Sequence, residues 1–362
     1  MSSAKPILLY FYAKRSTFIA RDIDMLSNRY DVREHAFEVR HKALLPIAFL
    51  KQKLFLLRNM GKAAVTVTHI AGYVSFLPAL WTSIFKLPSL VIIAGTDGAR
   101  FPGIRYGNFN RKVMGWFTRM SYRMASHLAP VDGSLIDVPY TYDPVGAPRQ
   151  GYRHFCPEVN TPCTVIHYGY DADEWPILFD DRPKDSFITV IAGIDSEAIF
   201  LRKGVDLILE TARLVPEASF TLVGATPNNP WLQDVPENVH LHPVTDRNGL
   251  VALLNRHRFY LQMSLMEGFP NALCEAMLCG CVPIGSNVAA IPLIIDQFGY
   301  VLERKDAQAF ASLARKAMAE DDIEPMHVRE SIVERFPKTR RFRELVALID
   351  HLVENRSQPP RK

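Results

Sequence analysis

Short apolar segments without charged residues recur along this chain, and segments with helical spacing separate them. "VTVTH" (65–69) and "SLVIIAG" (89–95) are examples from the first half, and "FITVIAG" (187–193) and "CVPIGS" (281–286) are examples from the second. Segments of this kind are typical of parallel strands whose two faces are both covered by helices. The alternation therefore predicts an α/β fold built on parallel sheets.

The alternation of strands and helices occurs twice. It is interrupted at residues 132–164, which are rich in Pro, Gly and Tyr, and it starts afresh after residue 177. With 362 residues, 48% of them hydrophobic, the chain can bury two cores. We therefore predict two doubly wound Rossmann-like domains, an N-terminal domain at 1–172 and a C-terminal domain at 173–336. Ligands of such sheets lie outside the carboxyl ends of the strands, so a site is expected in the cleft between the domains.

The segment "SLMEGFPNALCEAMLCGCVPIGSN" (264–287) combines several features of a ligand site. It follows a predicted strand, which places Glu267 at the strand's mouth and Glu275 in the first turns of a helix. Gly268 permits close backbone approach to a ligand, and the N–H groups after Pro270 favour an anion at the helix N-terminus. The helix dipole alone would also explain Glu275, so the two carboxylates do not by themselves establish a site.

A second polar cluster follows the predicted strand that ends at Gly193. Arg202 and Lys203 stand directly before a helix that begins after Gly204. If they face the same cleft, Arg as a bidentate fork and Lys as a point charge can neutralise a diphosphate. The alternative is a pair of solvated charges before a helix cap.

The five cysteines do not indicate a disulfide framework or a metal site. Three of them fall within 274–281 without a Cys-x2-Cys pair, where free cysteines behave as small hydrophobic residues. An odd number of cysteines and a start without a secretory signal predict a reducing, cytoplasmic compartment.

The formal charge of +4 is unevenly distributed. Residues 33–62 hold seven Lys or Arg against two Glu, and residues 98–131 hold six Lys or Arg and no acid. This indicates a polyanionic partner or an anionic membrane surface, and no nucleic-acid partner is expected. The alternative is a solvated basic face. The stretch "FLKQKLFLLRNMGK" (49–62) is either a membrane-docking segment or a core helix with a basic outer face. The uncharged run 70–85 is too short to span a membrane and is expected to be a buried helix.

These motifs resemble the retaining, GT-B-fold glycosyltransferases of family 4. The family signature Ser-x-x-Glu-Gly-Phe-Pro-Asn, then Glu-Ala-Met, a glycine turn, a Val-Pro strand and an Ile-Pro, is matched at Ser264, Glu267, Gly268, Phe269, Pro270, Asn271, Glu275, Ala276, Met277, Gly280, Val282, Pro283, Ile291 and Pro292. In the first half, "VIIAGTDG" and "VIHYGYDADEW" resemble the family's His-Gly-Thr-Asp strand and the segment that leads into its linker.

The resemblance implies roles for individual residues. Glu267 would hold hydroxyls of the donor sugar, and Glu275 would hold the ribose. Arg202 and Lys203 would bind the diphosphate. The remaining positions implied for the nucleotide sugar are Gly193, Gly224, Gly268, Phe269, Pro270 and Asn271. The last helix, 337–362, would cross back to complete the N-terminal domain, with hinges near 171–183 and 336–340.

The chain also departs from the family pattern. Its first strand leads into "FYAKRSTF" without a glycine, where Lys14, Arg15 and Ser16 stand instead. Ala94 replaces the histidine of His-Gly-Thr-Asp, and Ile194 replaces an arginine. On the acceptor side, Asp97 and His69 are candidates for contact with the acceptor.

The resemblance predicts transfer of a sugar from a UDP- or GDP-linked donor to a hydroxyl acceptor with retention of configuration. The acceptor is expected to be a lipid-linked glycan, lipopolysaccharide or another cell-surface polysaccharide precursor, and the enzyme to be cytoplasmic or peripheral on the inner face of the membrane. No cofactor and no metal is expected, since no Asp-x-Asp metal site is apparent. The alternatives are a non-catalytic nucleotide-sugar binding protein and a GT-B epimerase. A dehydrogenase is disfavoured because no strand leads into Gly-x-Gly-x-x-Gly.

Overall fold

The computed structural model describes residues 4–39, 41–178, 181–191, 193–320 and 322–357, which form two parallel sheets covered by helices. Parts of the predicted hinge (179–180), of the predicted strand 187–194 (residue 192) and of the predicted last helix (358–362) lie outside these residues. None of the helices in the described part of the chain has the length and apolarity needed to cross a membrane.

The first sheet has five parallel strands in the order β2-β1-β3-β4-β5. Its strands are β1 (Ile7–Tyr12), β2 (Asp31–Ala36), β3 (Ala63–His69), β4 (Ser89–Ile93) and β5 (His127–Pro130), and its helices are α1 (Thr17–Ser27), α2 (Leu45–Asn59), α3 (Tyr73–Phe85) and α4 (Lys112–Met124). All five residues of β4 are buried, as expected of a strand covered on both faces. The edge strand β2, with sequence DVREHA, is polar and partly exposed, which suits a strand with one unpaired edge.

The second sheet has six parallel strands in the order β10-β9-β8-β11-β12-β13. A connecting region comes first, with the antiparallel pair β6 (Val138–Pro139) and β7 (Arg149–Gln150) and the short helix α5 (Tyr152–Phe155). The strands of the second sheet are β8 (Ser186–Val190), β9 (Ser219–Val223), β10 (Val239–His242), β11 (Phe259–Gln262), β12 (Val282–Ser286) and β13 (Tyr300–Leu302). Its helices are α6 (Glu197–Arg202), α7 (Val205–Leu214), α8 (Arg247–Asn255), α9 (Asn271–Leu278), α10 (Ile291–Ile295), α11 (Ala307–Ala319) and α12 (Pro325–Arg335).

Both strand orders have a topological switch point, where successive connections leave in opposite directions. It lies between β1 and β3 in the first sheet and between β8 and β11 in the second. Crevices at the carboxyl ends of strands beside a switch point are where open α/β sheets bind ligands. The α/β fold with two doubly wound sheets is as predicted, and Gly193 and Glu267 follow β8 and β11 at the switch point of the second sheet.

One helix forms between the predicted strand that ends at Gly193 and the predicted helix after Gly204, where the sequence analysis placed none. Helix α6 begins after Ser196, whose side chain accepts a hydrogen bond from the Ile199 N–H (3.3 Å). An N-cap of this kind satisfies one of the N–H groups that a helix start leaves unpaired. Part of the connection between β8 and α7 is therefore helical.

The last helix, α13 (Lys338–Ser357), returns to the first sheet, where it packs on α1 and β3. The two crossings of the chain between the sheets lie side by side. The Tyr170 N–H donates to Phe336 O (2.9 Å), and the Lys338 N–H donates to Tyr170 O (2.8 Å). Gly169 has to be small here, since a Cβ would meet Lys338 Cα at 2.8 Å. The crossings thus form a narrow paired connection between the two sheets.

Candidate functional site

Glu267 lies in the loop that follows β11, and neighbouring donors hold its carboxylate through one of its two oxygens. Oε1 accepts hydrogen bonds from Lys203 Nζ (2.7 Å), Ser264 Oγ (2.8 Å) and Gln262 Nε2 (3.3 Å). Oε2 accepts none from the residues that the structure describes. The side chain is 13% exposed. The carboxylate is therefore fixed in orientation while one of its oxygens remains able to accept a hydrogen bond from a ligand.

The charges around Glu267 keep it ionised. Burial raises the pKa of this carboxyl, but the positive charges of Lys203 and Arg202 and the hydrogen bonds from Lys203 and Ser264 outweigh it, so the net shift is downwards. An ionised carboxylate only accepts hydrogen bonds, and it is suited to hydroxyl donors.

Lys203 reaches Glu267 because of Gly204, which separates α6 from α7. Gly204 has φ +67°, and a Cβ there would lie 2.1 Å from Met263 O at the end of β11. The Leu265 N–H also donates to Arg202 O (2.7 Å). These contacts bring the Arg202-Lys203 pair against the exit loop of β11, as the sequence predicted for a shared cleft.

The Arg202 side chain points towards the first sheet. Its guanidinium lies 4.9 Å from the centre of the Tyr106 ring, a cation–π contact, and the Tyr106 hydroxyl lies 2.7 Å from Thr96 Oγ1. Arg202 therefore carries positive charge into the space between β4 and β11.

Gly268 marks the closest approach of the two sheets' loops. A Cβ on Gly268 would lie 2.0 Å from Ala94 O, and a Cβ on Gly95 would lie 3.1 Å from Gly268 N. Only glycine fits between these backbones, and the neighbour here is the loop after β4, whereas the sequence predicted close approach to a ligand. The cleft is closed at this point.

We expect Gly268→Ala to hold the cleft open, because the new methyl group and the Ala94 carbonyl cannot occupy the same space. Small-angle scattering should show a larger radius of gyration than for the native chain. Gly61→Ala is the matched control, since no atom of the described part of the chain lies within 4 Å of a Cβ there. Equal radii for Gly268→Ala and Gly61→Ala would show that the closed contact is not populated in solution.

Glu275, in the second turn of α9, is paired with a residue of the first domain. Arg21 Nη2 on α1 lies 2.9 Å from Glu275 Oε1 and 3.8 Å from Glu174 Oε2. Burial raises the pKa of Glu275, and Arg21 lowers it only in part. The residue expected to hold a ribose is thus engaged by α1 in this closed arrangement.

The N-terminus of α9 is free of side-chain caps. Pro270 is its N-cap residue, and Asn271 Oδ1 accepts a hydrogen bond from the Tyr170 hydroxyl (2.9 Å). The Phe269 ring is buried against His167 and Phe336, with ring centres 5.2 Å and 5.1 Å away. Phe269 can therefore contribute its backbone but not its ring to a ligand site.

The two predicted glycines differ in what they offer a ligand. Gly193 has φ +100°, and among the residues that the structure describes a Cβ there would have only Asp195 Oδ1 within 4 Å, at 3.7 Å. Gly224 has φ +92°, but its N–H donates to His242 O (2.8 Å). Gly193 can supply an amide and open space at the end of β8, whereas Gly224 can supply only a surface without a side chain.

The expected acceptor contacts of Asp97 and His69 need correction, because both side chains are fully buried. The Asp97 carboxylate accepts from the N–H groups of Ala71 (2.8 Å), Ala94 (3.0 Å) and Gly95 (3.1 Å). Asp97 thus positions the turn that meets Gly268, and it does not face a ligand.

His69 is a packing residue. Its ring lies between the hydroxyls of Tyr10 (3.0 Å) and Tyr168 (2.8 Å), and burial lowers its pKa to about 3. It is therefore neutral and hidden at physiological pH.

A cavity of about 370 Å³ lies at the carboxyl ends of β1 and β3. Lys14, Tyr73 and Asn108 contribute polar groups to its lining. Lys14 belongs to the glycine-free loop after β1 and is exposed. This cavity lies beside the switch point of the first sheet, where open α/β sheets bind ligands.

The cysteines behave as predicted, as packing residues. Four of the five are buried, and Cys163 is partly exposed. Burial raises the pKa of Cys156 and of Cys281 to about 11. In the part of the chain that the structure describes, no three His, Cys, Asp or Glu side chains are grouped as metal ligands would be.

Sequence reasoning did not find the residues of the first domain that contact the predicted donor site. Arg21 contacts Glu275, and Tyr106 contacts Arg202. The Tyr140 hydroxyl donates to Leu265 O (3.0 Å), and Tyr170 contacts Asn271. Their partners lie 96 to 254 positions away in the sequence, and no local motif marks them.

Comparison with known proteins points to one family. Residues 190–320 match the family model described as Glycosyl transferases group 1. The chain is 27% identical over 148 residues to a component of the phosphatidylinositol N-acetylglucosaminyltransferase of Arabidopsis thaliana, a match covering 38% of this chain and 32% of that protein. It is 26% identical over 292 residues to the putative colanic acid biosynthesis glycosyltransferase of Escherichia coli, covering 74% and 67%. The chain thus spans about a third of the first relative's length.

Two solved structures are similar over nearly the whole chain. Sucrose-phosphate synthase from Thermosynechococcus elongatus superposes with a TM-score of 0.71 at 13% identity, covering 97% of this chain and 100% of that one. Anabaena HepE, solved in complex with UDP and glucose, gives a TM-score of 0.69 at 12% identity, covering 96% and 99%. At these identities the likeness concerns the fold, the two-domain GT-B architecture.

Proposed function

We propose that this chain, whose second domain belongs to the group 1 glycosyltransferases and whose fold is GT-B, transfers a sugar from a nucleotide diphosphate sugar to an acceptor hydroxyl. The observation that carries the proposal is the state of Glu267. Its carboxylate is ionised, fixed through Oε1 by three donors, and open at Oε2 beside two cations. This is a site built to accept sugar hydroxyls next to a bound diphosphate.

Transfer breaks the bond between the sugar and the diphosphate, so negative charge accumulates on the departing phosphate. Lys203 and Arg202, which lie against the exit loop of β11, and the uncapped N-terminus of α9 would stabilise that charge. Glu267 lies on the sugar side, where positive charge develops. We propose that these groups suffice without a metal ion or cofactor, and that configuration is retained.

For the donor we propose a UDP- or GDP-linked hexose or N-acetylhexosamine. Support for uridine comes from Anabaena HepE, which was solved in complex with UDP and glucose. Support for an N-acetylhexosamine comes from the name of the Arabidopsis relative. Gly193 leaves open space at the end of β8, where a nucleotide would lie.

For the acceptor we propose a lipid-linked glycan or another polysaccharide precursor. The cavity of about 370 Å³ at the ends of β1 and β3 offers the room, and Lys14 offers a positive charge for an anionic group on the acceptor. The names of the Arabidopsis and Escherichia coli relatives, which mention phosphatidylinositol and colanic acid, support the same class of acceptor.

A thermal-shift screen of nucleoside diphosphates and their sugars tests the donor site without knowledge of the acceptor. A ligand present at 100 times its Kd should stabilise the protein by about 2.7 kcal/mol and raise its Tm. When the protein is incubated with membranes and the most stabilising donor, it should then release nucleoside diphosphate. Stabilisation without release would favour the non-catalytic binding protein, and the absence of any stabilising nucleotide sugar would refute the proposed donor site.

A further inference from the structure

Helix α2 turns an apolar face to solvent. Ile47, Leu50, Leu54 and Leu57 are 51%, 56%, 42% and 57% exposed, and they recur at the three- and four-residue spacing of a single helix face. The sequence allowed a core helix with a basic outer face, but the structure places leucines outside and buries only Ala48, Gln52 and Leu56. A surface helix normally has the reverse arrangement, so this face lacks a partner.

The apolar surface continues from α2 onto α3 and α4. A groove of about 420 Å³ between the three helices is lined by Phe49, Leu50, Lys53, Phe76, Leu77 and Phe117. On its far side Val113 and Trp116 are 61% and 48% exposed, and the Trp116 ring lies 5.6 Å from that of Phe76. We call the exposed surface formed by Ile47, Leu50, Leu54, Leu57, Val113 and Trp116, together with this groove, the α2–α4 face.

The charge around the α2–α4 face has one sign. Residues 39–131 contain 13 Lys or Arg and a single acid, the fully buried Asp97. Lys51, Lys53 and Arg58 on α2 and Lys112 on α4 are exposed, and none forms an ion pair with the residues that the structure describes. An apolar surface surrounded by unpaired cations is complementary to an anionic lipid surface, where leucines and a tryptophan enter the acyl boundary and cations meet headgroups.

The α2–α4 face adjoins the cavity in the first domain. Tyr73 lines that cavity, and its ring packs on Phe117 (4.9 Å) and Phe49 (6.3 Å), which line the groove. Met114 of α4 also lines the cavity. A molecule held at the lipid surface by an apolar tail would therefore have its polar end next to the cavity mouth.

We propose that the α2–α4 face docks the protein on an anionic lipid bilayer. The exposed apolar side chains of the α2–α4 face enter the acyl boundary of the bilayer, and the surrounding cations favour negatively charged headgroups. Docking goes beyond the transfer reaction and needs no donor, so it can be measured separately from activity.

Co-sedimentation of the full chain with vesicles tests the proposal. We expect binding to phosphatidylcholine vesicles that contain phosphatidylglycerol, weaker binding as salt is added, and little binding to phosphatidylcholine alone. Lys53→Gln/Arg58→Gln should lower the partition coefficient about 30-fold, while the control Arg256→Gln/Arg304→Gln, on exposed residues of the second domain, should leave it unchanged.

A second pair of variants tests the apolar contribution. Leu50→Gln/Leu57→Gln should abolish sedimentation, while Val244→Gln/Leu293→Gln, which changes equally exposed apolar residues of the second domain, should not. Unchanged binding in both α2 variants would overturn the proposal. So would a dimer in analytical ultracentrifugation that Leu50→Gln/Leu57→Gln dissociates without any vesicle binding by the native chain, because the face would then be an interface between two copies.

Discussion

Glu267→Gln is expected to lower kcat about a hundredfold or more, with a smaller effect on KM for the donor. The negative charge of Glu267 stabilises the positive charge that develops on the sugar as the bond breaks. Removing one such preorganised group typically lowers kcat about a hundredfold or more. The neutral amide keeps the shape of the side chain but leaves Lys203, 2.7 Å away, without its counter-charge. The measurement is release of nucleoside diphosphate from the donor that stabilises the protein most.

Two further variants separate catalysis from stability. Glu267→Gln/Lys203→Met removes the unpaired cation and should recover thermal stability lost in Glu267→Gln, but not turnover. Glu210→Gln makes the same change at an exposed residue of α7 and should behave as the native chain. Recovery of turnover in the double variant would show that Glu267 only balances the charge of Lys203.

The elements of the second domain are predictable from the sequence because each depends on local patterns. The segment 264–287 contains a glycine turn, an apolar helix, the buried strand β12 and Gly280, which has φ +81° just after α9 as expected of a helix terminator. The neighbourhood of Lys203 and Glu267 is also predictable in outline, since residues that follow adjacent parallel strands meet at one edge of a sheet.

The contacts between the domains were not predictable. Arg21 and Glu275 are 254 positions apart, and neither α1 nor α9 has a local feature that names its partner. Asp97 shows the related difficulty, that a carboxylate in a turn after a strand has the same sequence pattern whether it faces a ligand or holds the turn. Its three backbone hydrogen bonds decide the matter, and they depend on how Ala71 and Gly95 fold around it.

Closure also bears on how a donor enters. Arg21, Tyr106 and Tyr170 contact residues implied in donor binding, and the Gly268 backbone meets Ala94. A donor that uses Glu275 has to share or displace Arg21. The closed arrangement thus fits domain opening before binding, on the paired crossings at Tyr170 and Phe336.

Arg341→Met is expected to have the largest effect on stability, about 3–5 kcal/mol, because it leaves a buried carboxylate unpaired. Arg341 of α13 and Asp22 of α1 are 2% and 1% exposed, and the guanidinium donates to both Asp22 oxygens at 2.6 Å. The third nitrogen of the guanidinium, Nη1, donates to the carbonyls of Ile166 and His167 at 3.1 Å. The pair therefore fixes the returning helix α13 to α1 of the first domain.

Urea unfolding monitored by circular dichroism, with limited proteolysis of α13, measures this effect. Arg29→Met is the matched control, since Arg29 also contacts α13, through Asp350 at 3.4 Å, but is 54% exposed, and we expect a loss of at most about 1 kcal/mol. Asp22→Leu/Arg341→Met removes both charges and should recover most of the stability, because two apolar side chains in such a site are often neutral or better. If Arg341→Met were no less stable than Arg29→Met, and α13 no more susceptible to protease, the attachment of the last helix would depend on its apolar contacts alone.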